Sequence, residues 1–360
     1  MKKIIAGFAG FICFITLTLL PINTSAHTDN SEGYSKITVE KDKLHVELHL
    51  DFFELGRLIN FGVRPGTEKD LLNGALAKQR GAVAEYLDSH FEVFTDGAKA
   101  RGSVISTDIE NRLGRDYAKI GLEYPIPSDK SSLQIHYSVF FDDNDSMHRN
   151  IMTYDLENKK GQFIFNTEDR EFNAGKESLA GQFFRFVQLG FHHIMIGYDH
   201  ILFVIALVFG ARRLIDVLKV ISVFTLAHSI TLGLTALKLI QFPAEIIEPL
   251  IALSIAFVAV ENYFGFSPKY RFAVVFGFGL IHGVGFAGAL QLSNDVTWRS
   301  ILSIFSFNIG VEAGQALIIL ILFPLLVYIR KFKWSTIVQA AATAGIFGMG
   351  IIWYFERFFT

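Results

Sequence analysis

The hydrophobic pattern changes character once along the chain. Over residues 27–178 apolar positions alternate at short spacing with polar and charged ones. From 179 to 355 they merge into apolar runs, each close to the roughly 20 residues that a bilayer-spanning helix needs. In the first region Leu44, Val46, Leu48 and Leu50 alternate with His45, Glu47, His49 and Asp51. That is the period of two of a half-buried strand, inside a strand-like segment from Tyr34 to Phe52. Further strand-like runs lie at 119–124, 133–141 and 162–166. Between them 68–91 has helical spacing, with Leu71, Leu72, Leu76, Val83 and Leu87 on one face, and Asp96-Gly97 is a turn signal. This predicts a β-sandwich-like domain with one inserted helix over 27–178, whose hydrophilic end, 166–178, is a hinge. The second region predicts an all-α bundle over 179–360. Six membrane spans are expected, at 183–209, 215–238, 246–265, 272–292, 300–328 and 335–355.

The start of the chain is a third element. Met1-Lys2-Lys3 is basic, Ile4 to Leu20 is apolar, and Thr24-Ser25-Ala26 is a small-residue cleavage site, so 1–26 reads as a signal peptide. The single cysteine, Cys13, lies inside it, which leaves the mature chain no disulfide and no thiolate ligand. Export places 27–178 outside the cytoplasm. Loop charges give the same orientation: Arg212, Arg213, Lys219, Lys269, Arg271, Arg330, Lys331 and Lys333 fall on the expected inner side, and only Lys238, Arg299 and Arg357 on the outer. The expected location is therefore the plasma membrane, multi-pass. A net charge of −2 over 360 residues suggests no nucleic-acid partner.

Ionisable residues inside the apolar runs are the chemical signal, because each costs roughly 2.5–3.5 kcal/mol at bilayer depth on insertion scales. In the first expected span His193 lies in the outer part and Asp199 and His200 near the middle. His228 in the second, His282 in the fourth and Glu312 in the fifth also lie near the middle, so four helices bring an imidazole or a carboxylate to a similar level. His193 and His200, seven residues apart, share a helical face, and Asp199 is either a ligand or the orienter of an imidazole. Imidazole and carboxylate without thiolate suit a divalent transition metal. His192 sits near the outer end and off the shared face. Asn308, Gln315, Ser222, Thr225 and Ser229 read as interhelical or intrahelical glue, and Glu248 as a solvated interfacial group.

The element His193-x5-Asp199-His200, followed by Phe278-Gly279-Leu280-Ile281-His282-Gly283, resembles the HupE/UreJ family. Gly190, Gly197, Phe224-Thr225-x2-His228-Ser229 and Asn308-x3-Glu312 resemble its branch with an extracytoplasmic N-terminal domain. The resemblance covers about 180–355. It implies a small membrane protein associated with hydrogenase and urease systems and a nickel or cobalt permease activity, with metalloenzyme-maturation or delivery partners. One departure stands out. Phe278 and Gly285 occupy positions where the family pattern FHGxxHGxE has its first histidine and its glutamate, and His228 and Glu312 are the residues that could replace them.

The leading expectation is a permease for a divalent ion (nickel, cobalt or zinc) with His193, Asp199, His200, His228, His282 and Glu312 as metal ligands and no catalytic residue. The alternatives are an intramembrane metal-dependent hydrolase acting on a lipid or membrane-embedded peptide, with Asp199 or Glu312 as general base, and a metal-sensing accessory protein. In the first region His27, the His45/Glu47/His49 face and the loop Asp142, Asp143, Asn144, Asp145 and His148 are weaker candidates for metal capture.

Overall fold

A computed structural model describes residues 31–359 except 113–114, 127–131, 157–158, 177, 238, 241, 265–267 and 291–296, and excludes the side chains of 244, 268–269 and 286–290. The expected signal peptide, Cys13 and His27 lie outside the described residues.

Strand β2 follows β1 (Glu32–Glu40), spans Lys43–Asp51, and carries the expected alternation: Leu44, Val46, Leu48 and Leu50 are all buried. It ends where the Asp51 carboxylate accepts hydrogen bonds from the amides of Phe53 and Glu54, capping helix α1 (Phe52–Leu58). The expected inserted helix is two helices, α2 (Lys69–Lys78) and α3 (Arg80–His90), interrupted at Gln79. Leu72, Leu76, Val83 and Leu87 face the core, whereas Leu71 is 61% exposed. Strands β3 (Phe91–Thr95) and β4 (Ala98–Ala100) form a hairpin. Its turn residues Asp96 and Gly97 both have positive φ, 51° and 78°, as an Asp-Gly turn of that type requires.

The remaining strands are β5 (Ser103–Arg112), β6 (Arg115–Pro125), β7 (Leu133–Tyr137), β8 (Arg149–Leu156), β9 (Lys159–Phe165) and β10 (Glu171–Asn173). One sheet has the order β5-β6-β2-β1-β8-β9 and the other β10-β7-β3-β4. All pairings are antiparallel except β1 with β8. Residues from both sheets share one core, among them Leu48, Ile120, Val93 and Ile135. The expected hinge is thus partly structured, since β10 pairs with β7.

The helical region starts with a difference that matters for the site. The first expected span is two helices, α4 (Leu179–Ile196) and α5 (Tyr198–Phe209), meeting at 73° across Gly197. Then come α6 (Leu214–Ala236), α7 (Ala244–Phe264), α8 (Pro268–Leu290), α9 (Trp298–Ile329) and α10 (Ser335–Phe359). Among the described residues four helices, α6, α7, α9 and α10, are long and apolar enough to cross a membrane, and the bent pair makes a fifth.

The helices pack chiefly as α6 on α8, α4 on α9 and α7 on α10. Small residues set these approaches: a Cβ on Gly190 would strike the Phe307 carbonyl, and one on Gly310 the Val187 carbonyl. The sheet region rests on the bundle, with Tyr34, Tyr117, Ile151 and Ile164 continuing the core of Phe186 and Leu189. The Arg185 guanidinium of α4 lies 4.3 Å over the Phe163 ring.

Candidate metal centre

The break at Gly197 builds the site. Its amide donates to the His193 carbonyl, closing α4, and its own carbonyl accepts from Ile201, opening α5. At φ −74° and ψ 96° the backbone is open to any L-residue, so space rather than conformation selects glycine. A Cβ there would lie 2.7 Å from His200 Nδ1 and 2.8 Å from the His193 carbonyl. His193 closes one helix and His200 opens the next, and their ring centroids stand 4.5 Å apart. The shared face expected from seven-residue spacing is therefore achieved by a bend rather than by two helical turns.

His228 of α6 completes the group. One ligand nitrogen from each of His193, His200 and His228 lies within 4.8 Å of the others, the only such group among the described residues. Both ring nitrogens of His200 and Nδ1 of His228 are closed off from solvent with no hydrogen-bond partner among the described residues. Asn308 lies beside His228, and its amide donates to the Ile304 carbonyl. A buried nitrogen lone pair left open is costly unless something binds it.

His282 of α8 adjoins this group, its ring centroid 5.4 Å from that of His200 and 5.1 Å from both Phe203 and Phe224. Its tautomer follows from hydrogen-bond accounting. Ser254 donates its one proton to the Ile251 carbonyl at 2.6 Å, so the His282 Nε2, 2.9 Å away, must be the donor to Ser254 Oγ. That leaves a lone pair on Nδ1, which is buried and has no partner among the described residues.

The expected carboxylates stand apart from the imidazoles. Asp199 pairs with Arg357 of α10 at 2.9 Å. Glu312, on the outward face of α9, accepts a bond from Ser222 at 3.3 Å. Thr225 donates to Gln315 at 3.0 Å, tying α6 to α9, and Ser229 donates to the Thr225 carbonyl within its helix. His192 lies within electrostatic range of Arg149 of the sheet region. Sequence reading missed Gly197 as a break, Ser254 as the partner of His282, and Arg357 as more than a tail charge. The Gly-Tyr-Asp run was the only local signal.

The sheet-region candidates are internally paired. His49 is bonded to Glu47 at 2.8 Å and Arg112 at 3.0 Å, and burial followed by the Arg112 charge holds its pKa below the ordinary value. Asp142 takes a bidentate bond from Arg170, Asp143 meets His90 at 3.0 Å, and Asn144 donates to Glu54. Asp145 and His148 are both bound to Ser31.

A family model described as HupE / UreJ protein matches residues 168–357, the whole of the helical region to within a few residues of its end. No curated protein matches the chain.

Proposed function

The chain belongs to the HupE/UreJ family, and we propose that it is a permease for a divalent transition-metal ion, nickel or cobalt before zinc. The observation that carries this reading is the imidazole group at the helix break, with lone pairs of His200, His228 and His282 buried and open. Neutral nitrogen donors replace part of the hydration shell of a borderline ion without trapping it as thiolates would. Broken helices lining a polar site are how transporter folds place binding groups inside a membrane. Here the negative end of α4 and the positive end of α5 meet at one corner and largely offset each other. Selection of a cation then falls to the imidazoles.

The topology that fits is six crossings, with α4 and α5 as one broken span and α8 as the fourth. The sheet domain stands outside after removal of a signal peptide, the orientation favoured by the loop charges. The hydrolase reading asks for a general base beside the ion. Asp199 is held by Arg357 and Glu312 by Ser222, which favours passage over hydrolysis.

Uptake into liposomes containing the purified full chain tests the proposal. Wild type should accumulate nickel or cobalt, and the combined His200→Ala, His228→Ala, His282→Ala variant should not. Equal uptake of nickel, cobalt, zinc and copper by that variant would end the permease reading. A stoichiometric metal that resists chelators would favour the hydrolase instead.

A further inference from the structure

Asp199 immediately precedes His200 but is not one of the residues whose ligand atoms converge. Its Oδ2 is 2.9 Å from Arg357, while its Oδ1 is buried with no hydrogen-bond partner among the described residues. Half of this carboxylate is therefore satisfied and half is not. Arg357 comes from the last turns of α10, 158 residues away in sequence, and also donates to the Glu248 carbonyl of α7 at 3.4 Å. Its charge reaches both His200 and His282. The Glu248 carboxylate lies within electrostatic range of both Arg357 and Asp199, and of Arg115 from β6.

A fixed positive charge beside a cation site is unfavourable to the ion it should hold, and the cost grows as the dielectric falls. A carboxylate already occupied by that charge is moreover withheld from the ion. We propose that Arg357 is a tethered cation that competes with the incoming metal ion for Asp199, and that Glu248 receives the guanidinium when the ion takes the carboxylate. The inference rests on the histidine group being the cation site and adds how its affinity is regulated. Ion-free, Asp199 and Arg357 neutralise each other. With the ion bound, Asp199 moves to it through Oδ1 and Arg357 turns to Glu248, so no carboxylate or guanidinium is left alone. On release the guanidinium returns to Asp199 and displaces the ion. Binding that must be strong enough for capture and weak enough for exit is met by a competitor built into the chain.

The test is cobalt binding to the purified full chain in detergent, read by calorimetry and by the visible absorption of the bound ion. R357Q should bind cobalt at least about fivefold more tightly, the low end of ordinary coupling between sites. D199N should bind at least about fivefold more weakly, and R357Q should gain less in the D199N background than in the wild type. E248Q should weaken binding, since the displaced guanidinium then meets a neutral amide in place of a carboxylate. R357K, which keeps the charge but not the forked geometry, should give a smaller gain than R357Q. Unchanged or weaker binding by a folded R357Q overturns the proposal, as does a gain of the same size in the D199N background. Should R357Q fail to fold, E248Q decides, and wild-type affinity there overturns the relay. H200A separates the two levels. If it loses cobalt while R357Q matches wild type, only the tethered-cation proposal fails. If H200A binds as wild type does, the histidine site fails and the proposal with it.

Discussion

Two buried histidines, one in each region, carry the same local device with opposite outcomes. In the sheet region Ser31 gives its proton to Asp145 at 2.9 Å, so its oxygen accepts from His148 Nδ1 at 2.7 Å. Tyr137 then donates to the remaining lone pair on Nε2 at 2.8 Å. In the bundle Ser254 gives its proton to the Ile251 carbonyl and accepts from His282 Nε2. There the second lone pair meets nothing described. A serine fixes the tautomer in both, but only the first imidazole is complete. Burial alone thus does not separate a structural histidine from a functional one; the unused lone pair does.

His148 carries the largest expected effect. His148→Ala should destabilise the sheet region by about 3 kcal/mol, because it opens a cavity and removes two buried hydrogen bonds. It should leave metal binding unchanged. Hydrogen exchange of the β1 and β8 amides in the full chain measures the first, and calorimetry with cobalt the second. Burial also pushes the His148 pKa down to about 3, against roughly 6.5 in an unfolded chain. Between those values the unfolded state binds a proton that the native state refuses. Its contribution to stability is fully present above about pH 6.5 and falls by about 1.4 kcal/mol per pH unit as the pH drops toward 3. The protection factors of the same amides, which correct exchange for its own pH dependence, should fall accordingly between pH 6 and 5, and His148→Gln should remove that share of the slope.

His200→Ala should do the reverse. Removing a ligand with two open nitrogens should weaken cobalt binding by more than about 100-fold, above the usual 10–100-fold range of mere orienting groups. Thermal stability should fall less than in His148→Ala, since a ring is removed but no hydrogen bond is lost. A large fall in melting temperature without loss of binding would make His200 a second His148.

Gly197→Ala probes the break itself. The added methyl lies 2.7 Å from His200 Nδ1, so the ring must turn or the backbone must open. Cobalt affinity should fall roughly 10- to 30-fold, by displacing one imidazole without deleting it. Helix content read by circular dichroism should stay the same. A variant in which α4 and α5 fuse into one straight helix and still bind cobalt would show that the bend is dispensable.

Local chemistry in this chain was readable wherever partners are near in sequence. The Leu44-to-Leu50 alternation, the Asp96-Gly97 turn and the apolar runs all express interactions between close neighbours or with bulk solvent. The imidazoles of His193, His200 and His228 were legible because their cost in an apolar run is itself a signal. What stayed hidden depends on distant groups. Ser31 and His148 are 117 residues apart, Asp199 and Arg357 158, and β1 finds its parallel partner β8 only after most of the domain intervenes. The break at Gly197 was hidden for a different reason: apolar runs flank it on both sides, the Gly-Tyr-Asp run is its only local mark, and one glycine in a membrane helix is ordinary. Glu312 is expected beside the imidazoles from depth, and Asp199 from depth and its place next to His200; neither says which neighbour claims a carboxylate.

The smallest expected effect is also the most specific. Ser254→Ala deletes the acceptor of His282 Nε2–H and leaves every imidazole in place. The tautomer is then free: the proton can move to Nδ1, which removes the one open lone pair of the ring. An ion can still select the competent form, but the energy of reorganising an unanchored ring weakens binding, by about tenfold, the low end of orienting groups. Ser254→Thr keeps the hydroxyl and should recover most of the loss, whereas Ser254→Val, of similar shape, should not. If Ser254→Ala equals wild type while His282→Ala is impaired, His282 binds through Nε2 or is held by packing against Phe203 and Phe224. If both are silent, His282 is a satisfied core histidine like His148, and the centre consists of the three imidazoles at the break.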